Sequence, residues 1–163
     1  MEVYVSQLLL FLLLFVRITS LVVVAPVLGH QGIPVQVKVA FGLFFSFVLY
    51  PVTAGDAPPV TTEFLPFVLL ILHEAAAGIL IGFATGLLFA GVRYAGELIS
   101  LETGLSAASM FDPEAGKSTS VISELMYLMM LMVFLLLNGH HFVLEALYLS
   151  YTAIPIGGLT LSA

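Results

Sequence analysis

Four long apolar stretches, separated by short polar ones, set the pattern of this chain: residues 3–28, 35–51, 64–92 and 121–152. The run from Leu8 to Val16 is apolar on every helical face, which excludes a half-buried strand or an amphipathic surface helix there. About 20 such residues cross a bilayer as a helix, so the pattern predicts an all-α membrane protein of long hydrophobic helices. Gly29 to Pro34 reads as a turn that opens a second helix near Val35. The uncharged part of that helix, Val39 to Tyr50, is short for an independent crossing, so it is expected to pair with the first block as a helical hairpin. Thr53 to Thr62, with Gly55, Asp56, Pro58 and Pro59, reads as a loop.

Composition sharpens this picture. Hydrophobic residues make up 61% of the 163 positions and charged ones 9%, so the surroundings are lipid or other protein. The net charge of -6, with no basic run, argues against nucleic acid as a partner. The absence of cysteine excludes disulfides and thiolate chemistry. The first block lacks a basic leader and carries Arg17 near its middle, so it is expected to stay in the mature protein rather than act as a signal peptide.

Polar and small residues inside the apolar blocks carry the next layer of information. An arginine at bilayer depth costs at least ~2.5 kcal/mol unless it snorkels or is paired. Arg17 is therefore either a helix-end snorkeler or a buried contact, with an acid such as Glu74 or with a partner chain. Gly78, Gly82 and Gly86 recur every four residues, Ala90 extends the line, and Glu74 lies one turn before it. Such a face is expected to meet another helix backbone to backbone. Glu74 reads as an ion-pair partner, a proton relay or an interfacial acid. Arg93 and Glu97, one turn apart, are expected to pair where this helix leaves the apolar region.

From Gly96 to Lys117 charge, small residues and a helix breaker interrupt the apolar pattern. Pro113 disfavours helix through Asp112, so Met110 and Phe111 form an apolar tip on a pliable loop. A serine or threonine within 118–120 is placed to cap the last block. That block carries Met126, Met129, Met130 and Met132, as gap fillers or a deformable lining, and Asn138-Gly139 is expected to weaken or kink it. His140, His141 and Glu145 do not make a metal site, because adjacent histidines cannot face one ligand position on a helix. No catalytic, cofactor-binding or phosphate-binding motif occurs.

Several passages together resemble the FliR/SctT family of flagellar and type III secretion export-gate proteins. They are Arg17 with Ala25-Pro26-Val27-Leu28, Ile33-Pro34 with Lys38, Glu74 ahead of Gly78 and Gly82, and Val92-Arg93-Tyr94-Ala95-Gly96-Glu97. Gly104-Leu105-Ser106, Phe111-Asp112-Pro113, Asn138-Gly139-His140 and Leu149 through Gly158 follow in order. The resemblance implies a single helical export-gate domain over residues 1–163, with helical hairpins packed into a multi-subunit stack around a central pore. It implies P-type and Q-type gate subunits as partners, export substrates in transit, and no cofactor. It places the protein in the bacterial inner membrane, in a flagellar basal body or type III export apparatus. The family's pore plug maps onto residues 105–117, with Leu105, Ser106, Ala107, Ala108, Ser109, Met110, Phe111, Asp112 and Pro113 as the gating loop. The family's additional C-terminal helices are expected to be absent from this chain. An ion-coupled transporter or proton channel component, and a purely structural membrane scaffold, remain as alternative readings.

Overall fold

The computed structural model describes residues 2–29, 32–53, 60, 63–104 and 120–156. Five helices carry them: α1 (Glu2–Val24), α2 (Val35–Thr53), α3 (Phe64–Glu102), α4 (Val121–Leu136) and α5 (Gly139–Ala153). Among the described residues there is no strand. Three helices, α1 to α3, are long and apolar enough to cross a membrane, and α4 with α5 qualifies as one broken span. The protein is an all-α membrane protein.

The helix ends follow local chemistry. Pro34 precedes α2, its carbonyl accepting from Val37 and Lys38 amides, and Lys38 Nζ donates to the Gly29 carbonyl at 2.8 Å. Helix α3 runs past the end of its apolar block to Glu102, 39 residues in all. At 1.5 Å per residue it is roughly 58 Å long, nearly twice the thickness of a bilayer's hydrocarbon core. It stops at Gly104, whose φ of 73° a side chain would oppose. Helix α4 starts at Ser120, whose hydroxyl accepts the Ser123 amide at 3.3 Å. Asn138, with φ 56°, breaks α4 from α5, and Gly139 lets the chain turn close to the Phe134 ring.

Two compact units share these helices: Met1–Ala84 with Val143–Ala163, and Thr85–Phe142. At the centre of the first lies α1, whose buried stripe is Leu10, Leu13, Leu14, Arg17, Ile18, Leu21 and Val22, continued by Ala25 beyond the helix end. The stripe advances by three and four residues, so one face of α1 is enclosed along its length. Leu70 of α3, Leu147 and Tyr151 of α5, and Ile156 just beyond pack in the same core. Helix α2 lies antiparallel to α1, a register given by Phe11 against Tyr50 (centroids 6.0 Å apart), Thr19 against Gly42, and Gly29 against Lys38. The expected hairpin of the first two blocks is thus present.

In the second unit, the end of α3 and α4 form another antiparallel pair. Phe89 sits edge-on to Tyr127 and Phe134 at 5.8 and 5.3 Å, and Gly96 faces Ser123.

Burial in this fold does not follow hydrophobicity. Arg17, Ser46, Glu74, Ser100 and Ser123 are buried, while Phe44, Phe47, Leu65, Leu80 and Met132 are exposed. A lipid or protein exterior solvates such side chains as well as a core does, so small and polar residues mark the helix contacts instead. Gly42 shows the rule: a Cβ there would collide with the Thr19 hydroxyl and come within 3.3 Å of Phe15. Gly42→Val should separate α1 from α2 and destabilise the protein by about 1–3 kcal/mol, whereas Leu43→Ala on the exposed face should cost far less. Thermal unfolding in detergent measures both, and equal losses would count against the close contact.

Candidate functional site

The most chemically distinctive group in the first unit is built on Arg17. Its Nε donates to Glu74 Oε2 at 2.5 Å, Nη1 to Ser150 Oγ at 3.1 Å, and Nη2 to the Ile154 carbonyl at 3.1 Å. Both charged side chains are 0% exposed. The Tyr151 ring lies under the guanidinium, 4.4 Å from Cζ to centroid. Ser150 completes its own bonding by donating to the Leu147 carbonyl at 2.6 Å. Of the two sequence readings of Arg17, the ion pair is the one the structure contains. Its α5 contacts carried no sequence signal beyond a serine and a tyrosine in an apolar helix.

Glu74 reaches Arg17 because α3 lies against α1 at the next turn. A Cβ on Gly78 would overlap the Ser20 hydroxyl and the Arg17 carbonyl, and one on Gly82 would stand 3.0 Å from the Leu21 carbonyl and Val24 Cβ. Glu74 meets Arg17, Gly78 meets Arg17 and Ser20, and Gly82 meets Leu21 and Val24, so the two helices run parallel here. The hydroxyl of Ser20 donates to the Arg17 carbonyl at 2.9 Å and fills the remaining space. Gly86 has nothing within 4 Å of its would-be Cβ, and Ala90 is exposed. The glycine line is therefore occupied by α1 at Gly78 and Gly82 and is open at Gly86 and Ala90.

The second unit holds the base of the α3–α4 hairpin. The Ser123 hydroxyl donates to the Arg93 carbonyl at 2.9 Å, and a Cβ on Gly96 would stand 2.6 Å from Ser123 Cα. Arg93 lies over the Tyr127 ring at 4.3 Å and pairs with Glu124 at 3.5 Å. The expected pairing of Arg93 with Glu97 is replaced by this contact across the hairpin. Tyr127 offers a ring and Glu124 a carboxylate on one face of α4, which a residue on the same helix as Arg93 cannot match. Leu105 through Pro113, the loop expected between these helices, lie outside the described residues. Among the described residues no three His, Asp or Glu side chains converge as metal ligands; His140 and His141 are exposed, with their rings 4.2 Å apart.

Two glycine substitutions separate packing from propensity on one helix. Gly78→Ala should sharply lower the thermal stability of the isolated protein, since its neighbours are helix backbone and a buried hydroxyl. Gly86→Ala should raise stability by roughly 0.5–1 kcal/mol, because alanine favours helix and meets nothing. Calorimetry in detergent reads both signs; a stabilising Gly78→Ala would overturn the close approach of α3 to α1.

Comparison with known proteins places this arrangement. The family described as bacterial export proteins, family 1, matches residues 8–163. The flagellar biosynthetic protein FliR of Bacillus subtilis (strain 168) is 31% identical over 146 residues, covering 90% of this chain and 56% of that protein. FliR of Escherichia coli (strain K12) is 32% identical over 162 residues, covering 99% of this chain and 61% of its own. FliR of Caulobacter vibrioides is 27% identical over 154 residues, covering 94% and 59%. The chain thus spans under two thirds of the length of these relatives. With a family match over residues 8–163 and relatives about 30% identical over most of its length, the chain belongs to the bacterial export proteins of family 1, the FliR family.

Proposed function

We propose that the protein is a non-enzymatic subunit of a bacterial flagellar or type III protein export gate, helping to form and close a protein-conducting pore in the inner membrane. Family membership and relatives named flagellar biosynthetic proteins support this reading. The observation that carries it at residue level is the α3–α4 hairpin. Gly104 terminates one arm and Ser120 caps the other, so residues 105–119 connect two defined helix ends. Met110 and Phe111 within that connection supply two apolar groups, the methionine a deformable one, suited to sealing a pore until an unfolded substrate displaces them. Ser106 to Ser109, all small, and the helix-breaking Asp112-Pro113 flank that tip, as suits a loop that yields.

The exposed apolar exterior supports lipid and further export-gate subunits, of P-type and Q-type, as its surroundings. Gly86 and Ala90 offer an open stretch of the small-residue face for such a neighbour. The ion-coupled alternative has no observation in its favour. Arg17 and Glu74 hold each other, and the remaining bonds of Arg17 go to Ser150 and a backbone carbonyl.

Deleting Leu105 to Phe111 in the assembled complex should raise leak of ions or small molecules across the membrane while leaving assembly intact. Unchanged leak in a correctly assembled complex would refute the plug. Gly82→Leu should prevent accumulation of the complex, because the side chain drives α3 off α1 before any partner is met; normal yield of complex would show that the α1–α3 seam is dispensable for assembly.

A further inference from the structure

We infer that the Arg17 cluster is a closure latch: α1 becomes a stably buried helix only when α3 and α5 have both closed on it. The partners of Arg17 are remote in sequence, 57, 133 and 137 residues further along the chain. Until Glu74 arrives, α1 carries an uncompensated cation in the middle of its enclosed stripe, between Leu14 and Ile18. In lipid such a charge opposes insertion of the helix that bears it. Glu74 supplies the counter-charge, but a guanidinium has five N–H donors, and one carboxylate oxygen receives only one of those shown. The Nη1 and Nη2 contacts are completed by α5 and the residue just after it, together with the Tyr151 face.

Two details favour a latch over a generic stabilising contact. First, a buried ion pair is a poor way to gain stability, since apolar residues of similar volume do as well or better. Its distinctive property is conditionality: it is strongly unfavourable when half-made and satisfied when complete. Second, the pair sits where the chain's first helix meets a helix from each later part of the same compact unit, Met1–Ala84 with Val143–Ala163. A unit assembled from two segments remote in sequence gains from an α1 that is not committed until α5 has arrived. Leu residues along the rest of the stripe cannot do this, because lipid satisfies them as well as protein does.

The chain has no cysteine, so a single introduced one reports cleanly. Leu13→Cys, at a fully buried position on α1, is placed in the 163-residue chain and labelled in membranes with an impermeant maleimide. With the latch intact the site is protected. Adding Glu74→Met should increase labelling on the order of 10-fold or more, since Arg17 is left without its counter-charge. Arg17→Met with Glu74→Met should return it to protection. The decisive comparison is Ser150→Ala with Tyr151→Ala: labelling should rise in the Arg17/Glu74 background and stay low in the doubly neutral one. Equal effects in the two backgrounds would reduce the α5 contacts to ordinary packing and overturn the proposal, as would protection in the Glu74→Met protein. Because no gate partner is needed for this readout, its outcome is separate from that of the export function.

Discussion

An arginine in the middle of an apolar helix must find acceptors for its N–H groups in protein, because lipid tails offer none, and this requirement organises the first unit. Meeting it fixes α3 at Glu74, the start of the close approach through Gly78, and the end of α5 at Ser150 and Ile154. Removing one member of such a buried pair costs about 3–5 kcal/mol, whereas replacing both by well-packed apolar groups is often neutral. What the pair contributes is therefore chiefly specificity of arrangement. Leucines at 10, 13, 14 and 21 would accept many helix neighbours; Arg17 accepts one set.

The glycines and serines make that arrangement possible at short range. Gly78 and Gly82 let α3 approach the backbone of α1, Gly42 lets in the Thr19 hydroxyl, and Gly96 lets in Ser123. The buried serines satisfy themselves locally or across the contact, Ser46 on the Gly42 carbonyl at 2.6 Å and Ser123 on that of Arg93. Such polar groups suit a membrane interior, since each is bonded without a charge. The glycines also explain how Arg17 and Glu74 can come within hydrogen-bonding distance at all. With alanine or larger at 78, the Arg17 carbonyl and the α3 axis would stand further apart.

How much of this was legible in the sequence depended on which kind of residue carried it. Helix existence was plain from the apolar blocks, and the α1–α2 hairpin followed from the turn around Pro34 and the short second block. The inward face of α1 was not, because a run such as Leu8 to Val16 is apolar on all sides and its stripe shows only in the fold. The outliers told more: Arg17, Glu74, Gly78 and Gly82 lie together, as residues that lipid does not suit. Among the described residues nothing stands against Gly86, and Ala90 is exposed, although both are equally regular in sequence, since spacing identifies a smooth face but not its neighbour. Helix α3 outruns its apolar block for a related reason. Hydropathy reports where a helix leaves an apolar medium, and Arg93, Glu97 and Glu102 are sound helix formers that continue it beyond that point.

The second unit rests on weaker charge chemistry than the first, and this bears on what the hairpin can do. Arg93 and Glu124 are 41% and 48% exposed, so their pair contributes about 0–1 kcal/mol and less as salt rises. The hold on α4 comes instead from the Gly96–Ser123 approach and the rings of Phe89, Tyr127 and Phe134. Aromatic contacts of this kind tolerate small rotations of one helix on the other, unlike a buried ion pair with fixed donor directions. The register of the two arms is set by the Ser123 hydrogen bond to the Arg93 carbonyl and the close approach at Gly96. The two units are thus held by different chemistry, oriented hydrogen bonds on a buried ion pair around Arg17 and close backbone approach with ring packing in the α3–α4 hairpin.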